Sequence, residues 1–338
     1  MIGKDIDYNY TDVVFSPYGD HWRSLRRLYA LEIFSSNRLN NFQSIRQHEV
    51  KLLIYRVFRF RNSSDNLVEL KSKFYQVSYN IIMRMVAGKR YYGEEVDNEE
   101  ANHFRELVEE VILYGGTSNL MDFMPAIFRL FYRSPEKNLA RIGEKMDALL
   151  QGLIDEHHRN KSRSTMIDHL LSLQESQPEC YTDQIIKGVI LVMSLLLNHP
   201  EVLEKSRIEI DIHVAFEDCN VAGFHIPRGT MLMVNAWAIQ RDPLLWEDPE
   251  SFKTERFEGE ELESWKLLPF GMERRACPNF GFAQRVVGLD LGTMIQCFEW
   301  KRVRKEKVDL TDGKCVTMPK AEPLMAKCKA CDIVHKVL

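Results

Sequence analysis

Helical periodicity from Ser16 to about Pro200 constrains the fold of this 338-residue chain more than any other feature. The clearest case is SPEKNLARIGEKMDALLQGLIDEHH, in which Ser134 can cap a helix and Pro135 suits its first turn. One apolar stripe at helical spacing follows: Leu139, Ile142, Met146, Leu149 and Leu153. Further helices are predicted at about 17–34, 37–60, 70–87, 97–113, 166–175, 183–198 and 201–212. The chain is therefore expected to be mainly α-helical.

Short strands are predicted after Val214. The segments CNVAGFHI and TMLMVNAWAI favour two strands joined by a PRG turn, because β-branched residues alternate over short stretches. A second hairpin is predicted from FEWKRVRKEKVDL and CVTMP, joined by a turn at 311–313. The predicted fold class is thus mainly α with small β-sheets.

Composition narrows the classes of partner. The chain has 45 basic and 49 acidic residues, and this net charge of -4 gives no broad attraction to nucleic acid. Its seven cysteines show no dense spacing, which favours free thiols and a reducing compartment. The first residues lack the pattern of a signal peptide or an anchor. The longest apolar run, 188–197, would span about 15 Å as a helix, whereas a bilayer core requires about 30 Å.

One cysteine lies in a charged turn ahead of a predicted helix. The segment LLPFGMERRACPNFGFAQRVVG places Cys277 between an arginine pair and a proline, and apolar spacing predicts a helix from about Asn279. A helix amino terminus and nearby arginines favour the thiolate that binds metal ions. The residues alone leave two alternatives, a metal-binding thiolate and a structural thiol.

Two further motifs carry possible binding chemistry. In YGDHWRSLRRLYALEIF, Trp22 and Arg26 are four residues apart, so that an indole N–H and a guanidinium could bind one carboxylate. The alternative is a half-buried tryptophan beside a solvated basic face. The pair Cys328 and Cys331, with His335 and Cys315, is a weak match to a zinc site.

Taken together, five stretches resemble the cytochrome P-450 superfamily of haem-thiolate monooxygenases, and most closely its plant isoflavone-hydroxylase-like group. They are YGDHWRSLRRLYALEIFS, TMIDHLLSLQESQPE, LNHPEVLEKSRIEID, IPRGTMLMVNAWAIQRDPLLWEDPESFKTERF and LLPFGMERRACPNFGFAQRVVG, and they occur in the family's order. The resemblance implies a single but incomplete cytochrome P-450 domain over 1–338. Its helical part would cover about 1–213, and the hairpin, meander, haem-binding loop and C-terminal part about 214–338.

The resemblance also implies the site and its chemistry. Cys277 matches the iron ligand, a role in which a thiolate favours O–O cleavage. Trp22, Arg26 and Arg275 match residues that hold haem propionates, and Phe270 matches the aromatic residue beside the thiolate. The implied reaction is hydroxylation of a small apolar or phenolic plant metabolite, such as an isoflavonoid. Electrons would come from NADPH through cytochrome P-450 reductase at the cytosolic face of the endoplasmic reticulum membrane.

Four apolar residues allow two interpretations, a pocket roof and a helical core. The family forms this roof with a region that here contains Phe104, Leu107, Phe123 and Phe128. Aromatic and aliphatic residues at helical spacing are also typical of a core, so both interpretations are kept.

The haem-binding loop departs from the family pattern at two positions. Glu273 and Asn279 replace the two glycines of Phe-x-x-Gly-x-Arg-x-Cys-x-Gly. Glycine serves where a backbone needs positive φ or must approach a ligand closely. Asparagine tolerates left-handed geometry better than most residues, so Asn279 is the milder change. Both changes are expected to weaken haem binding.

Whole segments of the family pattern are also missing. Met193 runs directly into SLLLNHPEV, without the Ala-Gly-x-Asp-Thr stretch whose acid and alcohol deliver protons. The Glu-x-x-Arg helix is absent before EDCNVAGF, and Arg256 matches the arginine that locks it, so Arg256 is expected to be exposed or displaced. Residues 204–207 fit the Glu-x-x-Arg pattern but indicate a solvated ion pair within a charged helix. Residues 115–118 are similar to the Ala-Gly-x-Asp-Thr stretch but contain no acid, and they indicate a turn. The chain begins where the family already has an anchor and its first sheet.

These departures leave an alternative to the enzyme. The second hypothesis is a catalytically inactive or mis-spliced remnant of such a monooxygenase, with weak or no haem binding.

Overall fold

The computed structural model describes residues 8, 10–14, 16–60, 67–94, 96, 98–115, 134–160, 164–196, 213–215, 217–232, 234–258, 265–309, 311 and 320–338. The first part is helical: α1 (Asp20–Leu28), α2 (Ser36–Asn41), α3 (Gln43–Phe60), α4 (Leu70–Ala87), α5 (Glu99–Gly115), α6 (Ser134–Arg159), α7 (Met166–Ser176) and α8 (Asp183–Leu191). Three helices follow later, α9 (Ala236–Ile239), α10 (Phe280–Cys297) and α11 (Val334–Val337). The mainly α prediction is confirmed, while the predicted helix at 201–212 lies outside the described residues.

Local sequence explains several helix ends. Thr165 caps α7, since its Oγ1 accepts a hydrogen bond from the Asp168 N–H at 3.2 Å and its own N–H donates to the Asp168 carboxylate at 3.0 Å. Thr182 caps α8 in the same way through the N–H of Ile185. Helix α4 ends at Gly88, whose φ of 70° lies in the left-handed region that favours glycine.

Two helices widen into π-helical turns. Tyr29–Ile33 continues α1 and Val192–Leu196 continues α8. Single π turns inside helices often occur at functional sites. The second turn contains the Met193–Ser194 junction, where the sequence departs from the family pattern. Ser194 is buried there, and its hydroxyl donates to the carbonyl of Leu191 at 3.2 Å.

Three small antiparallel sheets complete the secondary structure. The largest has the order β1 (Leu67–Glu69), β7 (Met325–Ala330), β6 (Phe298–Arg302). The second pairs β2 (His213–Val214) with β5 (Met231–Leu232), and the third pairs β3 (Cys219–Val221) with β4 (Phe224–Ile226).

The first predicted hairpin was wrong in its pairing, and the second stays a prediction. CNVAGFHI forms a hairpin by itself, because Ala222 and Gly223 take positive φ between β3 and β4. The strand after the PRG turn pairs with β2 instead, and AWAI forms the short helix α9. In the second case β6 pairs with β7, and the segment CVTMP lies outside the described residues.

The chain divides into two compact units, one formed by residues 1–205 and 281–338 and the other by 206–280. In the first unit, a carboxylate joins α3 to α4. Glu49 is fully buried, and its carboxylate accepts hydrogen bonds from Arg84 at 2.8 Å, from Nη2 of Arg90 at 3.3 Å and from Asn80 at 3.4 Å. Buried carboxylates require such partners. Within the described ranges, no helix is long and apolar enough to cross a membrane.

Candidate functional site

The Cys277 loop belongs to the second unit and is closed by its own backbone. The N–H of Cys277 donates to the carbonyl of Phe270 at 2.8 Å, and the N–H of Phe280 lies 3.4 Å from the carbonyl of Cys277. Gly271 takes a φ of 66°, the left-handed conformation that favours glycine. The thiol of Cys277 forms no disulfide and is partly exposed, three residues before α10 begins. This is the position in which a thiolate can bind a ligand from solution.

Aromatic packing supports the loop. The rings of Phe270 and Phe280 meet edge to face, with centroids 5.0 Å apart. The sequence predicted Phe270 beside the thiolate and missed Phe280. The available signal was its position at the start of the helix, directly after the loop. The structure therefore brings Phe270, Cys277 and Phe280 together.

Polar groups in the same loop are partly desolvated. Residues Glu273–Arg275 form one turn of 3₁₀-helix, and burial lowers the pKa of the Arg275 guanidinium. A half-buried guanidinium gains from an anionic ligand such as a carboxylate. Asn279 is buried, and its Oδ1 lacks a hydrogen-bond partner in the described part of the chain. Its φ is not positive, so a left-handed backbone is not required there.

Trp22 and Arg26 lie in the first unit, on α1. The guanidinium of Arg26 is 5.6 Å from the centre of the indole ring, a distance typical of a cation–π contact. Trp22 is buried, and its indole N–H donates to the carbonyl of Val13 at 3.1 Å. The indole therefore has an internal acceptor, and a role of this pair in binding propionates stays a prediction.

Arg256 donates hydrogen bonds to backbone carbonyls of its own loop. Its guanidinium donates to the carbonyl of Ser251 at 2.9 Å and to the carbonyls of Glu247 and Asp248. These contacts fold the 247–251 turn around a partly exposed arginine. A residue expected to lock an absent acidic partner thus stabilises its own loop.

The remaining candidate site residues either lie in the core or fall outside the described residues. Phe104 and Leu107 are buried, and the Phe104 ring stacks on Tyr91 with centroids 3.9 Å apart, which matches the core interpretation. Phe123 and Phe128 lie outside the described residues, as do the near-match at 204–207 and most of that at 115–118. Among the residues with described positions, no three His, Cys, Asp or Glu side chains form a metal cluster, and Cys315 is not among them.

In a mainly helical fold, a thiol-bearing loop ahead of a long helix is an arrangement that a protein binding a metal through a thiolate can use. The profile of the cytochrome P450 family matches residues 3–195 and 208–326. The chain belongs to the cytochrome P450 family. Haem is the cofactor of this family, and a reductase partner supplies its electrons.

Curated relatives place the chain near a plant group. Cytochrome P450 81Q32 of Catharanthus roseus is 49% identical, with 100% of this chain and 79% of the relative covered. An isoflavone 2'-hydroxylase of Glycyrrhiza echinata is 42% identical at the same coverage. A zebra fish cytochrome P450, solved with abiraterone, shares the fold with a TM-score of 0.70 at 22% identity, over 98% of this chain and 87% of that one. The resemblance to the plant isoflavone-hydroxylase-like group is confirmed.

The same comparisons show that the match to the family is not continuous. The family match omits residues 196–207, a stretch that begins at the last residue of the π-helical turn Val192–Leu196. The alignment with the Catharanthus roseus relative has 392 positions while the chain has 338 residues, so about 54 positions of the relative have no counterpart here. The match is therefore interrupted internally.

The donor set of the Cys277 loop fits haem. A partly exposed thiol outside any disulfide suits iron, and the Arg275 guanidinium suits a propionate. The orphaned Asn279 Oδ1 is the one buried polar atom of this loop that such a cofactor would not explain. Cys277 and Arg275 would hold the group in this unit.

Proposed function

We propose that this protein is a haem-thiolate monooxygenase that hydroxylates a small phenolic plant metabolite, with isoflavonoid-like compounds as the substrate class. The observation that carries the proposal is the Cys277 loop, which the Phe270 carbonyl closes and which carries a partly exposed thiol ahead of α10. The substrate class rests on relatives named isoflavone 2'-hydroxylase and isoflavone 3'-hydroxylase. When bound, the haem supplies the activation of dioxygen that inserts one oxygen atom into a C–H bond.

The chain's own residues would bind and orient the cofactor. Cys277 would be deprotonated to serve as ligand, helped by its place before a helix amino terminus. The 2.8 Å hydrogen bond to Phe270 fixes the backbone that carries the thiol. Arg275 would bind a propionate of the haem. Phe270 and Phe280 would keep water from the thiolate side.

Partner and location follow from the same proposal. Electrons would come from NADPH through cytochrome P-450 reductase. The site of action would be the cytosolic face of the endoplasmic reticulum membrane.

A second candidate is the inactive remnant, and one observation favours it. The family match is interrupted at 196–207, where the sequence also lacks the acid and alcohol that deliver protons. Positioned general acids and bases contribute about 10²–10⁴-fold to rates. We therefore expect turnover by this chain to fall short of its complete relatives by about that factor.

One preparation separates the two candidates. The purified chain, reconstituted with haem, is reduced and treated with carbon monoxide, and an isoflavone is then supplied with reductase and NADPH. A thiolate-type Soret band with hydroxylated product supports the monooxygenase. A band without product, with activity restored by a chimaera carrying the absent positions of the 49% identical relative, supports the remnant.

Cys277→Ser is the control, since it removes the ligand and should abolish the thiolate-type band. If neither the parent nor the chimaera gives the band, both candidates fail. If Cys277→Ser keeps it, another residue is the ligand.

A further inference from the structure

The Cys328–Cys331 pair is a motif that the haem chemistry does not use. Cys328 lies inside β7, opposite Trp300, and Cys331 lies one residue past the end of that strand. A strand rises about 3.3 Å per residue, so three residues separate the two Cα atoms by about 10 Å, whereas disulfides need less than about 7 Å. Cys328 and Cys331 are thus too far apart to bridge each other.

Cys331 has a different thiol opposite it. The antiparallel register pairs Phe298 with Ala330, so one position further Cys297 faces Cys331. The N–H of Cys331 donates to the carbonyl of Cys297 at 2.9 Å, which shows that the pairing continues to this position. This is one of the two hydrogen bonds that a hydrogen-bonded antiparallel pair exchanges, and such pairs have Cα atoms about 5.5 Å apart. Disulfides are commonest at about 5.5–6 Å.

The two thiols differ in their access to solvent. Cys297 is fully buried at the end of α10, and Cys331 is partly exposed. Burial raises the pKa of the Cys297 thiol, and the neighbouring Cys331 raises it further. An oxidant from solution therefore meets Cys331 first, with the buried thiol of Cys297 placed behind it.

We propose that Cys297 and Cys331 are a modification site that forms a reversible disulfide under peroxide. The Cys331 thiolate attacks hydrogen peroxide, which breaks the O–O bond, leaves a sulfenic acid on Cys331 and releases one water after protonation. The Cys297 sulfur then attacks the sulfenic sulfur and releases a second water. Two thiols are oxidised by two electrons in all, and one peroxide is reduced to two waters. A dithiol reductant reverses the step by exchange.

The bridge would fix the C-terminal segment to α10. Val334 of α11 is buried, and the His335 ring meets Phe58 of α3 edge to face at 5.4 Å. These contacts hold the last residues without a covalent link. Closing the loop between positions 297 and 331 would restrict the unfolded chain and raise the thermal midpoint.

Peptide mapping of the full chain tests the proposal. The protein is exposed to hydrogen peroxide, denatured with an alkylating reagent and digested without reductant. We expect a linked Cys297–Cys331 peptide, the loss of two of the seven alkylation sites and a higher thermal midpoint, all reversed by dithiothreitol. Cys331→Ser should remove all three effects, while Cys180→Ser, at an exposed cysteine, should keep them.

Two outcomes would overturn the proposal. They are a linked peptide that joins Cys328 to Cys331, and sulfinic acid on Cys331 with Cys297 still alkylated. An unchanged midpoint in a sample that carries the Cys297–Cys331 peptide would refute the stabilising effect of the bridge. Circular dichroism of Cys331→Ser and of Cys331→Ala establishes that loss of the link is not loss of the fold.

Discussion

Asp290 is a carboxyl group buried in α10, 5% exposed, and its Oδ1 has no hydrogen-bond partner among the described residues. Burial raises its pKa from 3.8 to about 7. A carboxyl group with a raised pKa binds its proton more tightly in the folded state than in the unfolded chain. Stability contributed by this group therefore falls as the pH rises from about 4 to about 7, and is constant above that window.

Asp290→Asn is expected to stabilise the protein at high pH more than at low pH. Three pKa units correspond to roughly 4 kcal/mol, an upper figure for the gain in unfolding free energy at pH 8, whereas at pH 4 the gain should be small. Urea denaturation at both pH values measures it. Asp155→Asn, at an exposed position of α6, is the control and should shift both values alike. Equal gains for Asp290→Asn at the two pH values would contradict the prediction.

Substitutions of Asn279 distinguish an effect on haem binding from an effect on the free energy of unfolding. Its buried Oδ1 without a partner costs about 1–3 kcal/mol. Asn279→Ala and Asn279→Gly both remove this amide, and we expect both to raise the free energy of unfolding, glycine by somewhat less because of its backbone entropy. If close approach of the backbone to haem requires glycine, only Asn279→Gly should also increase the haem bound per chain after reconstitution. Equal haem content in the two variants would refute the steric argument.

At the scale of elements, Glu49 joins α3 to α4 through Arg84 and Arg90. Removing one partner of a buried ion pair leaves the other uncompensated and costs about 3–5 kcal/mol. We expect Glu49→Gln to lower the free energy of unfolding by this amount. Glu94→Gln, which breaks an exposed pair with Arg59, should cost less than about 1 kcal/mol. Chemical denaturation of both variants tests the difference. Similar losses of unfolding free energy would mean that Glu49 does not stabilise the contact between α3 and α4.

The elements also show what sequence patterns can predict. Long helices such as α4 and α6 were placed within a few residues, because their apolar stripes and end signals agree. The short strands were not, since a strand of two or three residues is defined by its partner and not by its own pattern. AWAI is the clearest case: the run favours a strand, yet Asn235 caps it as α9 by accepting from the N–H of Ala238 at 3.0 Å.

The site was predictable only where one residue decides the chemistry. Cys277 and Phe270 follow from a continuous motif, and the structure brings them together through one backbone hydrogen bond. The hydrogen-bond acceptors of Trp22 and Arg256 could not be predicted from the sequence. Both are backbone carbonyls, of Val13 and of residues 247–251, and carbonyls carry no sequence signal. The Cys297–Cys331 pairing was likewise hidden until the strand register was known.

At the scale of the whole molecule, the 206–280 unit carries large apolar side chains in solvent. Leu244 is 91% exposed and Phe252 is 92% exposed. Exposed apolar surface of this kind promotes association. We expect a double Leu244→Ser and Phe252→Ser variant to lower the concentration-dependent scattering of the purified chain. Because neither side chain is packed, the thermal midpoint at low concentration should stay within about 2 °C of the parent.

Glu250→Ser is the matched control. Glu250 is exposed and lies between the two apolar positions in the sequence, so this substitution removes charge without removing apolar surface. It should leave scattering unchanged or raise it. About 54 aligned positions of the Catharanthus roseus relative have no counterpart in this chain, and our hypothesis is that their residues cover this apolar surface. The chimaera that restores them should therefore scatter less than the parent even with Leu244 and Phe252 intact. If it scatters as strongly, the exposed side chains belong to the unit itself and not to the interruption.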